Sequence, residues 1–252
     1  MNMKLKTCTL EENVKREIRI AVCSDFHGMA SDEGLELLRG CSPDMIVIPG
    51  DLGETLDSAD GNELTFLSGC VAVAPTFYSL GNHDKYFDTP ENMKRITATG
   101  VQLLNNSDIF FAGMWIGGLS SGFRTCAKEG AFKETPPPDE HFLDRFASHS
   151  GFKMLLSHHP EYYPKYIKQR NIPLTISGHA HGGQWVLFGK AVFAPGQGIF
   201  PKYTAGIYEN RLLVSRGMGN HTWVPRIGNP CEIVLLTLKP NDKDVGNQGG
   251  LL

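Results

Sequence analysis

Aspartate, histidine and asparagine crowd into five short clusters: Asp25-Phe26-His27, Gly50-Asp51, Gly81-Asn82-His83-Asp84, His158-His159 and Gly178-His179-Ala180-His181. These are metal-ligand side chains. Carboxylate mixed with imidazole suits Mn²⁺, Fe or Zn²⁺ better than Mg²⁺ or Ca²⁺, which favour all-oxygen shells. Asp25 and His27 are two residues apart, so on a strand they would share a face. The same holds for His179 and His181. Asp51 is a lone carboxylate suited to bridging two cations, and Asn82 offers a neutral carbonyl oxygen. The donors suffice for two metals. Two cations about 3.5–4 Å apart form a clamp for in-line displacement at phosphorus, with a bridging water activated as hydroxide.

Each cluster follows an apolar β-type run: Ile18 to Cys23, Met45 to Ile48, Thr76 to Leu80, Lys153 to Leu156 and Leu174 to Ile176. Ligands from five strand ends can converge on one sheet edge, where sites form in open α/β sheets. Helices are expected from Ser31 to Arg39, from Asn62 to Cys70, from Thr89-Pro90 to Thr99, from Asp139 to Ala147 and from Pro160 to Arg170. Ile109 to Leu119 is strand-like but broken by glycines. After His181 no helical pattern remains. Trp185 to Phe193, Gly206 to Tyr208, Arg211 to Ser215 and Glu232 to Leu238 read as strands, the middle two joined by a turn at Glu209-Asn210. This end reads as antiparallel. Alternating β/α followed by β-only sequence implies two mixed sheets packed together with helices outside, an α/β class. One domain over 1–252 is expected, with its core at about 18–238 and a polar tail at 239–252.

The net charge of −3 over 252 residues is mild, and no long basic run appears. That disfavours a nucleic-acid polymer as partner. Met1 to Arg19 is polar and lacks the apolar core of a signal peptide, so a cytoplasmic location is the expectation. Cys8, Cys23, Cys41, Cys70, Cys126 and Cys231 are scattered, which favours reduced thiols over a disulfide framework.

The clusters in order resemble the calcineurin-like metallophosphoesterase superfamily, whose pattern is D-x-H, GD, GNH-[DE], a lone His and GHxH. The resemblance covers roughly Arg19 to Leu238. It implies a four-layer αββα sandwich and two divalent ions, with Mn²⁺ favoured and Fe or Zn²⁺ as alternatives. It further implies that Asp25, His27 and His181 bind the first ion, that Asp51 bridges, and that Asn82, His158 and His179 bind the second. His83 then assists the leaving group or stabilises charge at phosphorus, with Asp84 orienting its ring. The implied activity is hydrolysis of a phosphate ester, with a diester preferred, by attack of a metal-bridging hydroxide. Gly182-Gly183-Gln184 and Ser215-Arg216-Gly217-Met218-Gly219 look like one branch, which holds bacterial phosphodiesterases and UDP-diacylglucosamine hydrolases. The substrate is then a small-molecule or lipid phosphate ester. A catalytically silent scaffold of the same fold is the alternative from another class.

Other residues have plainer readings. His141, His149 and His221 are read as surface or structural. His159 competes with His158 and either approaches the substrate or covers the site. Trp185, Val186, Leu187 and Phe188 read as a strand packed on the core in preference to a membrane-contacting patch. Arg124, Lys128 and Lys133 read as a solvated loop in preference to a phosphate-facing lid. Arg216 and Arg226 are further candidates to face phosphate.

Overall fold

Alternation along each strand assigns successive side chains to opposite faces, and this builds the layers. The structure, a computed structural model, describes residues 3–29, 31–54, 56, 62–125, 135–194, 197–220 and 225–241. Cys126, Lys128, Lys133, His221 and residues 242–252 of the tail lie outside the described residues. The chain runs β1 (Lys4–Glu12), β2 (Ile18–Val22), α1 (Asp32–Cys41), β3 (Met45–Pro49), α2 (Asn62–Val73), β4 (Thr76–Ser79), α3 (Pro90–Ala98) and β5 (Gln102–Leu104). It continues through β6 (Ser107–Phe111), β7 (Met114–Leu119), α4 (Glu140–Ala147), β8 (Lys153–Ser157) and β9 (Leu174–Ser177). The last part holds β10 (Val186–Leu187), β11 (Lys190–Ala191), β12 (Phe193–Ala194), β13 (Gly198–Ile199), β14 (Gly206–Tyr208), β15 (Leu212–Val214) and β16 (Glu232–Pro240).

Two six-stranded mixed sheets result, in the orders β1-β16-β2-β3-β4-β5 and β14-β15-β9-β8-β7-β6. Ile20, Val22, Met45 and Val47 of the first sheet pack with Ile116, Met154, Leu156 and Ile176 of the second. The intervening Ala21, Ile46 and Ile48 instead pack with Leu35 and Leu38 of α1 and Phe66 and Leu67 of α2. On the far side, Leu155 packs with Leu143 and Phe146 of α4. Burying each large apolar side chain stabilises the fold by about 1.5–3 kcal/mol. The layers are therefore helix, sheet, sheet, helix, as the alternation implied. Thr89 and Asp139 cap α3 and α4 by accepting from the N–H groups of Asn92 and Phe142.

Several sequence expectations change. The polar N-terminus is not outside the core: β1 runs parallel to β16 at the sheet edge. Its charged, mostly exposed residues hide the strand from a hydrophobic pattern and protect the edge. The broken run from Ile109 to Leu119 is a hairpin, β6–β7, turning at Ala112-Gly113 with φ of 50° and 85°. The helix expected from Pro160 to Arg170 shrinks to one wide turn, Tyr163–Ile167, where Pro160 and Pro164 lack N–H donors. The C-terminal part is not wholly antiparallel, because β15 joins β9 in parallel. The tail begins later than expected, since β16 extends to Pro240. Trp185 to Phe193 is no core strand. It divides into the small hairpin β10–β11 and the start of β12, and Trp185, Leu187 and Phe188 are exposed. No helix among the described residues is long and apolar enough to cross a membrane.

Candidate metal centre

The ligand candidates lie beyond the strand ends. β2 stops at Val22, β3 at Pro49 and β9 at Ser177. Asp25, His27, Asp51, His179 and His181 then adopt left-handed backbone, with φ of 53°, 50°, 56°, 65° and 46°. Such a residue costs on the order of 1–3 kcal/mol and persists where its surroundings over-determine it. The shared-face argument for Asp25 with His27, and for His179 with His181, is thus replaced by turn geometry. Backbone bonds hold these turns. The N–H of Asp25 donates to Gly50 O (3.2 Å), that of His27 to Asp51 O (3.3 Å) and that of Gly219 to Asp25 O (2.7 Å). The glycines make room as much as they turn. A methyl group on Gly50 would enter the His158 ring, one on Gly81 the Asp51 carboxylate, and one on Gly178 the Asp25 carboxylate.

Among the described residues three groups have their donor atoms within 4.8 Å of one another: one is His159, Glu161, His179, and the other two are Asp25, His27, His181 and Asp51, His158, His179. Asp51 lies between the latter two. Its Oδ2 is 2.9 Å from His158 Nε2 and 3.9 Å from His27 Nε2. His181 Nε2 is 3.5 Å from Asp25 Oδ1. His158 Nδ1 meets the carbonyl of Pro49 at 2.8 Å, which directs Nε2 towards Asp51. Asn82 is buried, as N-cap of the short turn His83–Phe87.

These donors fit a divalent cation. Asp25 Oδ2, Asn82 Oδ1 and His179 Nε2 are buried without a hydrogen-bond partner. Orphaned buried groups cost about 1–3 kcal/mol each, a penalty that a bound cation relieves. Burial drives the His27 and His181 imidazoles down to about 3 and that of His179 well below its usual value. All three rings are therefore neutral, the form that ligates metals. Burial also lowers His158, but the Asp51 carboxylate overrides it and raises the ring to about 10. A cation at this point would take the place of that proton. The mixed nitrogen and oxygen set suits Mn²⁺, Fe or Zn²⁺.

His83 stands at the rim, its ring edge-on to His27 at 5.1 Å, and its backbone N–H donates to Asp51 Oδ1 (2.9 Å). Asp84 does not orient that ring. Its carboxylate accepts from the N–H groups of Asp51 (3.0 Å), Leu52 (2.9 Å) and Gly81 (2.7 Å). It ties two ligand loops together. Burial and the neighbouring Asp51 charge raise the Asp84 carboxyl to about 6. The carboxylate beside His83 is Glu54, with Oε1 3.1 Å from Nδ1.

His158 and His159 separate cleanly. His159 turns to Ser121 Oγ at 2.7 Å and to Glu161 Oε1 at 3.4 Å, away from Asp51. Glu161 reaches within 3.9 Å of His179 Nε2 and also accepts from Thr135. Arg226 lies 3.0 Å from His181 Nδ1, whereas Arg216 pairs with Glu232 at 2.8 Å. His149 stacks on Trp115 with ring centroids 3.7 Å apart, and His141 is exposed. Glu54, Glu161 and their roles are absent from the sequence reading. The available signal was a carboxylate three residues after Asp51 and after His158.

The chain is 29% identical over 236 residues to an uncharacterized metallophosphoesterase of Campylobacter jejuni, covering 90% of this chain and 60% of that one. It is 24% identical to one of Helicobacter pylori over 242 residues, covering 92% and 62%. The chain thus spans about 60% of the length of these relatives. The fold is similar to the crystal structure of a 5′-nucleotidase precursor from Thermus thermophilus, with a TM-score of 0.50 at 12% identity, covering 90% of this chain and 56% of that one. The calcineurin-like phosphoesterase profile matches residues 18–183, which include every ligand candidate, and the chain belongs to that family.

Proposed function

We propose that the chain is a metal-dependent phosphodiesterase acting on a small-molecule or lipid phosphate ester. The observation that carries this is the pair of ligand groups sharing Asp51, with His83 at their rim. Asp25, His27 and His181 would hold one ion, Asn82, His158 and His179 the other, and Asp51 both. Divalent ions there, Mn²⁺ first among them, would supply Lewis acidity to the phosphoryl oxygens and activate the attacking water. The protein's own part is orientation and proton transfer. Asp84 fixes the loops of Asp51 and Gly81 through three backbone bonds. Glu54 orients His83 through Nδ1, and Nε2 carries the proton for the leaving oxygen. Buried thiols at Cys23, Cys41 and Cys70, outside any disulfide, support a reducing, cytoplasmic setting. A nucleic-acid polymer is not the expected partner. The purified chain loaded with Mn²⁺ should hydrolyse bis(p-nitrophenyl) phosphate. Inactivity towards both mono- and diesters with Mn²⁺, Fe²⁺ and Zn²⁺ would overturn the proposal in favour of a silent scaffold.

A further inference from the structure

Large apolar side chains are exposed unevenly on this molecule. Among the described residues they are Leu5, Tyr86, Phe110, Trp185, Leu187, Phe188, Ile199, Phe200 and Ile227. Six of these nine fall between 185 and 227, and Phe188 is fully exposed. Backbone bonds join them into one ribbon. Val186 N–H donates to Ile227 O (2.9 Å), Val192 N–H to Trp185 O (2.9 Å) and Phe200 N–H to Val192 O (2.9 Å). The β10–β11 hairpin turns at Phe188-Gly189 with φ of 51° and 76°. A bulky residue is unusual in left-handed backbone, where Asn, Asp or Gly is expected. Here an aromatic ring is held outward at the tip.

Charge singles out the same face. From Gly182 to Tyr208 the chain carries Lys190 and Lys202 and no acidic residue, although its net charge is −3, and Glu209, which follows, is paired with Lys168 at 2.8 Å. Both lysines are exposed, and with Val186, Phe200 and Arg216 they line one cleft of about 370 Å³ beside the hairpin. The face adjoins the metal centre. Gly182 and Gly183 link His181 to the hairpin, and Asn229 Nδ2 ties the His181 carbonyl at 2.6 Å. Contiguous exposed apolar surface marks an interaction site. Aromatic rings among lysines suit a bilayer interface, with rings among the acyl chains and ammonium groups on anionic headgroups.

We infer that the exposed side chains of Trp185, Leu187, Phe188, Ile199 and Phe200, with Lys190 and Lys202, dock the protein on an anionic lipid membrane, with the metal centre beside the bilayer. The inference concerns binding alone, and so stands or falls apart from the hydrolase proposal. The test is co-sedimentation of the purified chain with vesicles in EDTA, which excludes metal-dependent lipid contact. The chain should pellet with vesicles of phosphatidylethanolamine and phosphatidylglycerol, pellet less as salt is raised, and stay in solution with phosphatidylcholine alone. Phe188→Ser with Phe200→Ser should weaken binding by about tenfold or more. Lys190→Glu with Lys202→Glu should do likewise, since each basic residue near such a surface contributes about fivefold. Phe110→Ser, an exposed ring elsewhere, should change nothing. If the phenylalanine pair fails to fold, judged by its thermal midpoint, the lysine pair decides. The inference is overturned if the wild type ignores anionic vesicles, or if the folded variants bind as it does. It is also overturned if sedimentation shows a dimer that Phe188→Ser dissociates, which would make the ribbon a contact between copies.

Discussion

The two ligand groups differ in enclosure and in the charges around them. Asp51, His158 and His179 are all buried, whereas His27 and His181 are only partly so beside buried Asp25. Carboxylates flank the buried group: Glu161 lies 3.9 Å from His179, and Asp84 holds the Asp51 loop. A guanidinium flanks the other, with Arg226 3.0 Å from His181. Anionic neighbours favour a cation and a guanidinium opposes it, most of all away from water. The buried group should therefore hold its ion tightly and exchange it slowly. The partly open group, next to His83, should bind more weakly and face the substrate.

Asp51→Asn tests the element common to both groups and should have the largest effect. Losing the carboxylate removes the charge that serves both cations. Activity should fall by more than the on-the-order-of 10²–10⁴-fold expected for a general acid. Metal per chain after dialysis should drop at both groups, and retention of two ions with most activity would contradict the shared role.

His83→Asn should separate chemistry from metal binding. Two ions should remain while kcat falls on the order of 10²–10⁴-fold. The loss should be smaller for a nitrophenyl leaving group, which needs little protonation. Equal losses for good and poor leaving groups would assign His83 to charge stabilisation, and lost metal would make it a ligand.

The asymmetry itself is read by His158→Ala against His181→Ala. The first should lose the tight ion and resist rescue by excess Mn²⁺. The second should retain about one ion per chain and recover activity as Mn²⁺ rises. Brief chelation of the wild type should likewise leave one ion. Equal metal contents in the two variants would dissolve the distinction between the groups.

Glu54→Gln should have a smaller consequence, about 10-fold in kcat with metal content unchanged, as expected for a residue acting through its neighbour. An unaltered leaving-group dependence would show that the Glu54–His83 contact does not matter for proton transfer. Cys23→Ser, in the core cluster with Leu38 and Phe66, should leave activity and metal unchanged. It should lower stability in urea by about 1–3 kcal/mol, through a buried hydroxyl lacking a sure partner. Lost activity in a folded, metal-loaded variant would point to a catalytic thiol.

The legible parts of this molecule share a physical feature: they are written in local order. Buried parallel strands such as Met45–Pro49 read as unbroken apolar runs, and a Thr-Pro or Asp cap announces α3 and α4. Strand β1 escaped because an edge strand has only Leu10 to bury among charged neighbours. The Trp185 run misled because alternation of apolar residues looks the same over a core as over solvent. Whether a second layer covers such a run is a long-range fact.

Ligand chemistry follows from residue type, and the order of the clusters identifies the family, so both were determined by the sequence alone. Tertiary structure decided which histidine of His158-His159 faces Asp51 and which carboxylate reaches His83. It also decided that Asp84 braces backbone and that one ligand group lies deeper than the other. Those assignments depend on distances of a few ångströms between loops far apart in the chain. Left-handed turns at Asp25, His27, Asp51, His179 and His181 set those distances, and local pattern does not encode them.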